Sequence, residues 1–208
     1  MKKIILLLAI LFVSDNMFAS IKNEKIIASR NGFLYQDSPQ ATLADKSTLN
    51  NMDIKNHSGY SRYGYVEFST NKISEQSSKI YFRIYLLGED LGYNENFNGK
   101  NIELNLFGGE YNWNGKWTWS TQPVIANAEN PGEKSLGSLT LKNDDKGTFL
   151  EWDVTEFVKS KKATGAKNIC FRISASHKSS AVLIKLRQLY IKDSVIQSSK
   201  YNPHLLQK

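Results

Sequence analysis

One cysteine, Cys170, and four prolines stand in a chain of 208 residues. A lone cysteine excludes an intramolecular disulfide framework and any cysteine-based zinc site. The three histidines, His57, His177 and His204, lie far apart, and no Gly-x-Ser-x-Gly elbow accompanies them. Phosphate-binding glycine motifs of the Walker or dinucleotide type are missing too, so nucleotide chemistry has no support. The longest apolar run, Ile4 to Val13, is shorter than the ~20 residues a membrane span needs. What the chain does hold is 10 Tyr, 10 Phe and 4 Trp, with 40% of residues hydrophobic. That is enough apolar surface to offset the conformational entropy of one compact domain. With 27 Lys+Arg against 20 Asp+Glu, the formal charge of +7 asks for an acidic partner: nucleic acid, an anionic membrane or an acidic polysaccharide.

The N-terminus decides among these. Lys2 and Lys3, the apolar run and the small residues Ala19 and Ser20 have the layout of a signal peptide, with cleavage expected after Ala19 or Ser20. No cysteine follows the run, which argues against a lipid anchor. Loss of residues 1–19 removes Lys2, Lys3 and Asp15, a net +1, and leaves +6 on residues 20–208. The expectation is one secreted domain, extracellular or periplasmic, with no membrane span. Export disfavours nucleic acid and favours glycans.

Period-2 alternation dominates the rest of the chain. Ile80, Phe82, Ile84 and Leu86 alternate with Lys79, Tyr81, Arg83 and Tyr85, so one side is core and the other basic and aromatic. The same pattern sets Gly64-Val66-Phe68 against Tyr63-Tyr65-Glu67, Ile102-Leu104-Leu106 against Glu103-Asn105-Phe107, and Leu150-Trp152-Val154 against Phe149-Glu151-Asp153. It continues in Ile169-Phe171-Ile173 against Cys170-Arg172-Ser174 and in Val182-Ile184-Leu186 against Leu183-Lys185-Arg187. Turn-rich stretches at 88–99, 108–115, 127–137 and 143–147 separate the runs. Such spacing predicts an all-β antiparallel sandwich of jelly-roll type. One short helix is expected after Asp153 or Thr155 as cap, with Val154, Phe157 and Val158 on its buried side and Gly165 near its end. The tail from Asp193 is consistent with one more short strand.

These residues carry a resemblance. Ser47-Thr48-Leu49, Gly64 to Phe68 and Ser78 to Tyr85 look like the first half of a secreted module, and Trp117-Thr118-Trp119-Ser120-Thr121-Gln122-Pro123 resembles its Trp-containing turn. Phe149-Leu150-Glu151-Trp152-Asp153-Val154-Thr155, Ile169 to Ile173 and the closing Asn202-Pro203-His204-Leu205-Leu206 complete it. The module is the DNRLRE-type domain, carbohydrate-binding module family 96. The resemblance spans Ile26 to the end and implies a jelly-roll sandwich that binds polysaccharide, with acidic polymers such as alginate among its ligands. It also implies a partnership with a glycan-degrading enzyme acting on the same polymer.

Alternating Tyr and Arg on one strand face supplies what an acidic sugar needs: rings to stack on pyranose faces, and guanidinium forks that match a carboxylate. Tyr63, Tyr65, Tyr81, Arg83, Tyr85, Arg172, Lys185 and Arg187 are the candidate ligand-binding residues; whether Arg172, Lys185 and Arg187 share a face with Arg83 depends on strand adjacency. The competing reading is an outer face on which Arg and Tyr merely snorkel. Trp113, Trp117 and Trp119 read chiefly as packing, with Trp113 or Trp117 the more exposed, and Trp152 reads as core. Same-strand Glu151 and Asp153 point the same way and cannot flank a glycosidic bond, so Asp153 reads as a cap. The histidines read as surface residues, Cys170 as a semi-buried thiol without catalytic role, and Lys159 to Lys162 as a solvated helix end. No cofactor is expected, although Asn143-Asp144-Asp145 offers oxygens of the kind a structural Ca²⁺ takes. The sequence thus points to a non-catalytic binder of a uronate-containing glycan. The alternatives are a jelly-roll polysaccharide lyase drawing on His177, Tyr81 and Arg83, and a structural or adhesive surface protein.

Overall fold

The computed structural model describes residues 23–42, 51–56, 59–87, 102–109, 113, 116–122, 133–176, 183–188 and 199–208. Along them run β1 (Glu24–Ile27), β2 (Arg30–Tyr35), β3 (Asn51–Ile54), β4 (Arg62–Ser69), β5 (Ile80–Tyr85), β6 (Glu103–Gly109), β7 (Glu133–Thr140), β8 (Phe149–Asp153), α1 (Thr155–Ala163), β9 (Asn168–Ala175), β10 (Ile184–Arg187) and β11 (His204–Gln207). Sheet one has the order β1-β11-β5-β8 and sheet two the order β2-β4-β9-β6-β7, every pairing antiparallel. The pair β10-β3 ties the two together, through bridges from Leu186 to Leu86 and from Lys55 to Arg62. The result is an antiparallel β-sandwich of jelly-roll type with one α-helix among the described residues, as the alternation predicts.

Among the described residues each predicted apolar run faces the interior. Ile80, Phe82 and Ile84 of β5, Leu150 and Trp152 of β8 and Leu205 of β11 meet Val66, Phe68, Ile169, Phe171, Ile173, Leu104 and Leu106 of sheet two in one buried cluster. Phe82 stacks on Phe171 across the sheets at 4.9 Å, and Phe68 and Phe157 close edge-on or tilted around them. Offset or edge contacts of this kind add about 0.5–1.5 kcal/mol each beyond buried area. Close approach requires bare backbone at Gly108, where a Cβ would fall 2.6 Å from the Phe157 ring. Glycine there lets α1 settle onto β6.

The helix begins after Val154, one residue from either expected cap. Asp153 nonetheless acts as its anchor, its carboxylate accepting the Thr155 N–H at 3.0 Å and the Thr155 hydroxyl at 2.5 Å. At the other end Gly165 takes φ +80° while its N–H reaches the Lys162 carbonyl and that of Ala166 the Lys161 carbonyl, a Schellman closure.

Some strands lie where turns were expected. β7 occupies 133–137 of the stretch read as turn, because Gly137 at φ +115° absorbs a bulge where Leu106 pairs with Gly137 but Phe107 with Ser135. β6 likewise runs through Gly108 and Gly109. The segments 47–49 and 88–99 lie outside the described residues, as do residues 1–22. Among the described residues no helix is long and apolar enough to cross a membrane.

Candidate functional site

The register sorts the eight candidate residues onto opposite outer faces of the sandwich. On sheet one, Arg83 lies between His204 of β11 and Glu151 of β8, with Tyr81 between Leu206 and Asp153 in the next row and Tyr85 beside Phe149. β10 continues this face: with Leu186 opposite Leu86, the antiparallel register brings Arg187 alongside Tyr85 and Lys185 alongside Leu87. Lys185 and Arg187 therefore join Tyr81, Arg83 and Tyr85. Arg172 does not, because β9 pairs with β4 and β6 and never with β5. It sits with Tyr63 and Tyr65 on the far side.

The face of sheet one is half-open, and its rings and cations interleave. Tyr85 packs against Phe149 at 5.3 Å and Tyr201 at 4.4 Å. The Arg83 guanidinium lies 4.8 Å from the Phe149 ring, Lys208 Nζ 4.6 Å from Tyr81 and Lys200 Nζ 5.5 Å from Tyr201. Arg83 Nε approaches Glu151 Oε2 at 3.0 Å off the line of its N–H, so this is an ion pair without a hydrogen bond. Neither the Arg83 nor the Arg187 side chain donates a hydrogen bond among the described residues, and Lys25, Lys200, Lys208 and Arg187 meet no carboxylate there. At the strand's start Lys79 Nζ binds Asp153 at 2.6 Å, and that bond, with Thr155, lowers the Asp153 carboxyl to about 2. Asp153 thus anchors the helix and the start of β5.

Behind Arg83, His204 is buried, contrary to its reading as a surface histidine. Its Nδ1 is 2.9 Å from the Asn202 carbonyl oxygen, its ring meets Phe149 edge-on at 5.0 Å, and Nε2 has no partner among the described residues. Burial lowers its pKa, with Lys25 and Arg83 adding to the effect.

The outer face of sheet two differs in kind. Arg172 and Glu133 have wholly inaccessible side chains, and the Arg172 Nε and Nη2 groups donate to the Glu133 carboxylate at 3.1–3.2 Å. The guanidinium also lies 4.2 Å from the Phe107 ring and 5.0 Å from that of Tyr63. Trp117 packs edge-on against Tyr65 at 5.5 Å, and together with Leu34 and Cys170 they form a second buried cluster. Tyr65 and Arg172 are therefore removed from solvent, which the alternation could not reveal because the covering residues come from elsewhere in the chain. The three tryptophans pack as expected, and of the two expected to be more exposed it is Trp113, half-buried like Trp119, while Trp117 is buried. Cys170 is fully buried rather than semi-buried, and burial raises its thiol pKa well above the ordinary value.

Other candidates resolve simply. Asp145 accepts the Lys142 N–H at 2.7 Å in a 3-10 turn, and among the described residues no three His, Cys, Asp or Glu side chains gather as a metal site. Lys162 is not freely solvated, since its Nζ contacts the Ile73 carbonyl and pairs with Glu75 at 3.8 Å. His57 and His177 lie outside the described residues. Sequence reasoning passed over Phe149, Lys200, Tyr201, His204 and Lys208 as site residues. The alternation placed Phe149 on the right side of its strand, but only the adjacency of β8, β5 and β11 assembles these residues with Arg83.

On the half-open face of this sandwich, rings and cations stand side by side. The chain belongs to carbohydrate-binding module family 96, whose model matches residues 26–188. Lys200, Tyr201, Lys208 and the whole of β11, with the closing Asn202 to Leu206 motif, fall beyond the matched range. Among the curated proteins none matches the chain.

Proposed function

We propose that this module binds an acidic, uronate-containing polysaccharide without catalysing its cleavage, and that it does so on the outer face of sheet one after export from the cell. Family membership supports carbohydrate binding; one observation supports the acidic preference. Arg83 and Arg187 flank Tyr85 with their donors unspent, and Lys25, Lys200 and Lys208 surround them without a carboxylate partner among the described residues. The rings of Tyr81, Tyr85 and Tyr201 offer stacking surface, and the guanidinium forks offer two parallel bonds to a carboxylate. Glu151 holds Arg83 in place and neutralises part of its charge. Each charge-assisted bond contributes about 1.5–3 kcal/mol, and exposed charges are screened over ~8 Å at physiological salt. Binding is therefore weak and salt-sensitive.

Affinity electrophoresis through gels containing alginate or polygalacturonate tests this. Retardation that weakens with salt, and weakens about tenfold in Arg83→Ala, is expected; migration unaffected by every acidic glycan would overturn the reading. Release of ultraviolet-absorbing unsaturated product from either polymer would instead establish a lyase.

A further inference from the structure

We infer that the outer face of sheet two is a second glycan-contact surface, one for uncharged pyranose chains, built on Tyr63 and Trp119. The inference rests on the assignment of the chain to a carbohydrate-binding family but not on the uronate reading of sheet one.

The segment over sheet two anchors itself with Trp117. That ring is buried against Tyr65, and the Tyr65 hydroxyl donates to Gln122 Oε1 at 2.8 Å, while Gln122 Nε2 donates to the Trp119 carbonyl at 2.9 Å. The Thr118 N–H donates to the Thr121 hydroxyl at 2.9 Å, and Arg30 Nη1 holds the Trp113 carbonyl at 2.9 Å. Trp119 packs against the edge of that cluster without being buried in it. It stands half-buried beside half-buried Tyr63, their centroids 4.9 Å apart and their planes tilted by 37°. Two large rings thus stay partly open on a segment already fixed by other contacts, and rigid rings lose little freedom when a ligand arrives.

The surroundings select the ligand. Arg172 and Glu133 cancel each other beneath the surface, and Arg30 is paired with Glu67. Alongside Tyr63 runs a row of uncharged hydrogen-bonding groups, buried Ser174 opposite half-buried Asn105 and Asn105 opposite exposed Ser138. Hydroxyl-rich sugar with no carboxylate fits rings flanked by serine and asparagine, whereas a uronate would find its charge unmatched here. The two outer faces point away from each other, so one domain can touch two different chains and hold an acidic and a neutral polysaccharide together.

Affinity electrophoresis of the full chain in gels of glucomannan, hydroxyethylcellulose and alginate decides the matter, with thermal melts confirming that each variant folds. The expected result is retardation in at least one neutral gel, at least fivefold weaker in Trp119→Ala, largely kept in Trp119→Phe and accompanied by unchanged alginate retardation in Trp119→Ala. Retardation of the wild type in neither neutral gel overturns the inference, and so does neutral-gel retardation that Trp119→Ala leaves intact. Failure in alginate alone removes the uronate reading and leaves this one standing.

Discussion

Arg83 and Arg172 arise from the same sequence signal, an arginine on the polar side of an alternating strand, and the sandwich gives them opposite roles. Arg83 sits on sheet one with its side-chain donors unspent among the described residues and a carboxylate, Glu151, at 3.0 Å. Arg172 sits on sheet two, inaccessible, clamped by Glu133 and flanked by the Phe107 and Tyr63 rings. What separates them is cover: Trp117 and its neighbours pack over the cluster beside Arg172, while among the described residues the row of Arg83 consists of side chains from its adjacent strands, His204 and Glu151. Alternation decides which way a residue points. It does not decide what lies above it.

The largest expected effect tests that difference through stability. Glu133→Gln leaves the Arg172 charge buried and uncompensated, at a cost of about 3–5 kcal/mol, whereas Glu151→Gln on the half-open face costs less than ~1 kcal/mol. Chemical denaturation of both variants measures the gap, and equal losses would dissolve the comparison. Next comes Arg83→Ala, expected to lower affinity for polyuronate about tenfold while leaving the melting temperature nearly unchanged.

A smaller effect concerns pH and His204. Its imidazole resists protonation in the folded state because it is buried, with Lys25 and Arg83 also disfavouring the cation; Glu151, on the far side of Arg83 in the same row, carries the opposite charge. The unfolded chain takes up that proton near pH 6.5, so the stabilising contribution is complete above that pH and falls as the solution is acidified below it. Denaturation curves across that range should lose this slope in His204→Gln. The smallest effect belongs to Asp153. Its carboxyl, held at about 2 by Lys79 and Thr155, contributes stability above the ordinary carboxylate pKa of about 4 that disappears as pH falls toward 2. Asp153→Asn should flatten that acid limb only slightly, since the pair is solvent-exposed.

Much of the fold was legible because interior positions obey a period of two. Phe82, Val66, Leu104, Trp152, Phe171 and Leu186 all point inward as their spacing demands, and Gly165 closes the helix near its predicted end. β2 and β7 were less legible, since Arg30–Tyr35 shows no alternation and Gly137 belongs to a stretch read as turn yet lies within a strand, at a bulge. The site was legible by halves. Tyr81, Arg83 and Tyr85 share a face on the strength of one strand's spacing, but the joining of Lys185, Arg187, Phe149 and His204 to them depends on long-range pairing that no local pattern encodes. Central β11 is the plainest case: a short C-terminal run, His204–Gln207, inserts between β1 and β5 and supplies the floor behind Arg83.

The most direct measurement is a set of backbone amide NMR spectra recorded as a uronate oligosaccharide is added. The account predicts shifts concentrated at Tyr81, Arg83, Tyr85, Arg187, Tyr201 and Lys208, with Cys170 and Arg172 unmoved; the largest shifts around Arg172 and Tyr65, or none on either face, would contradict it.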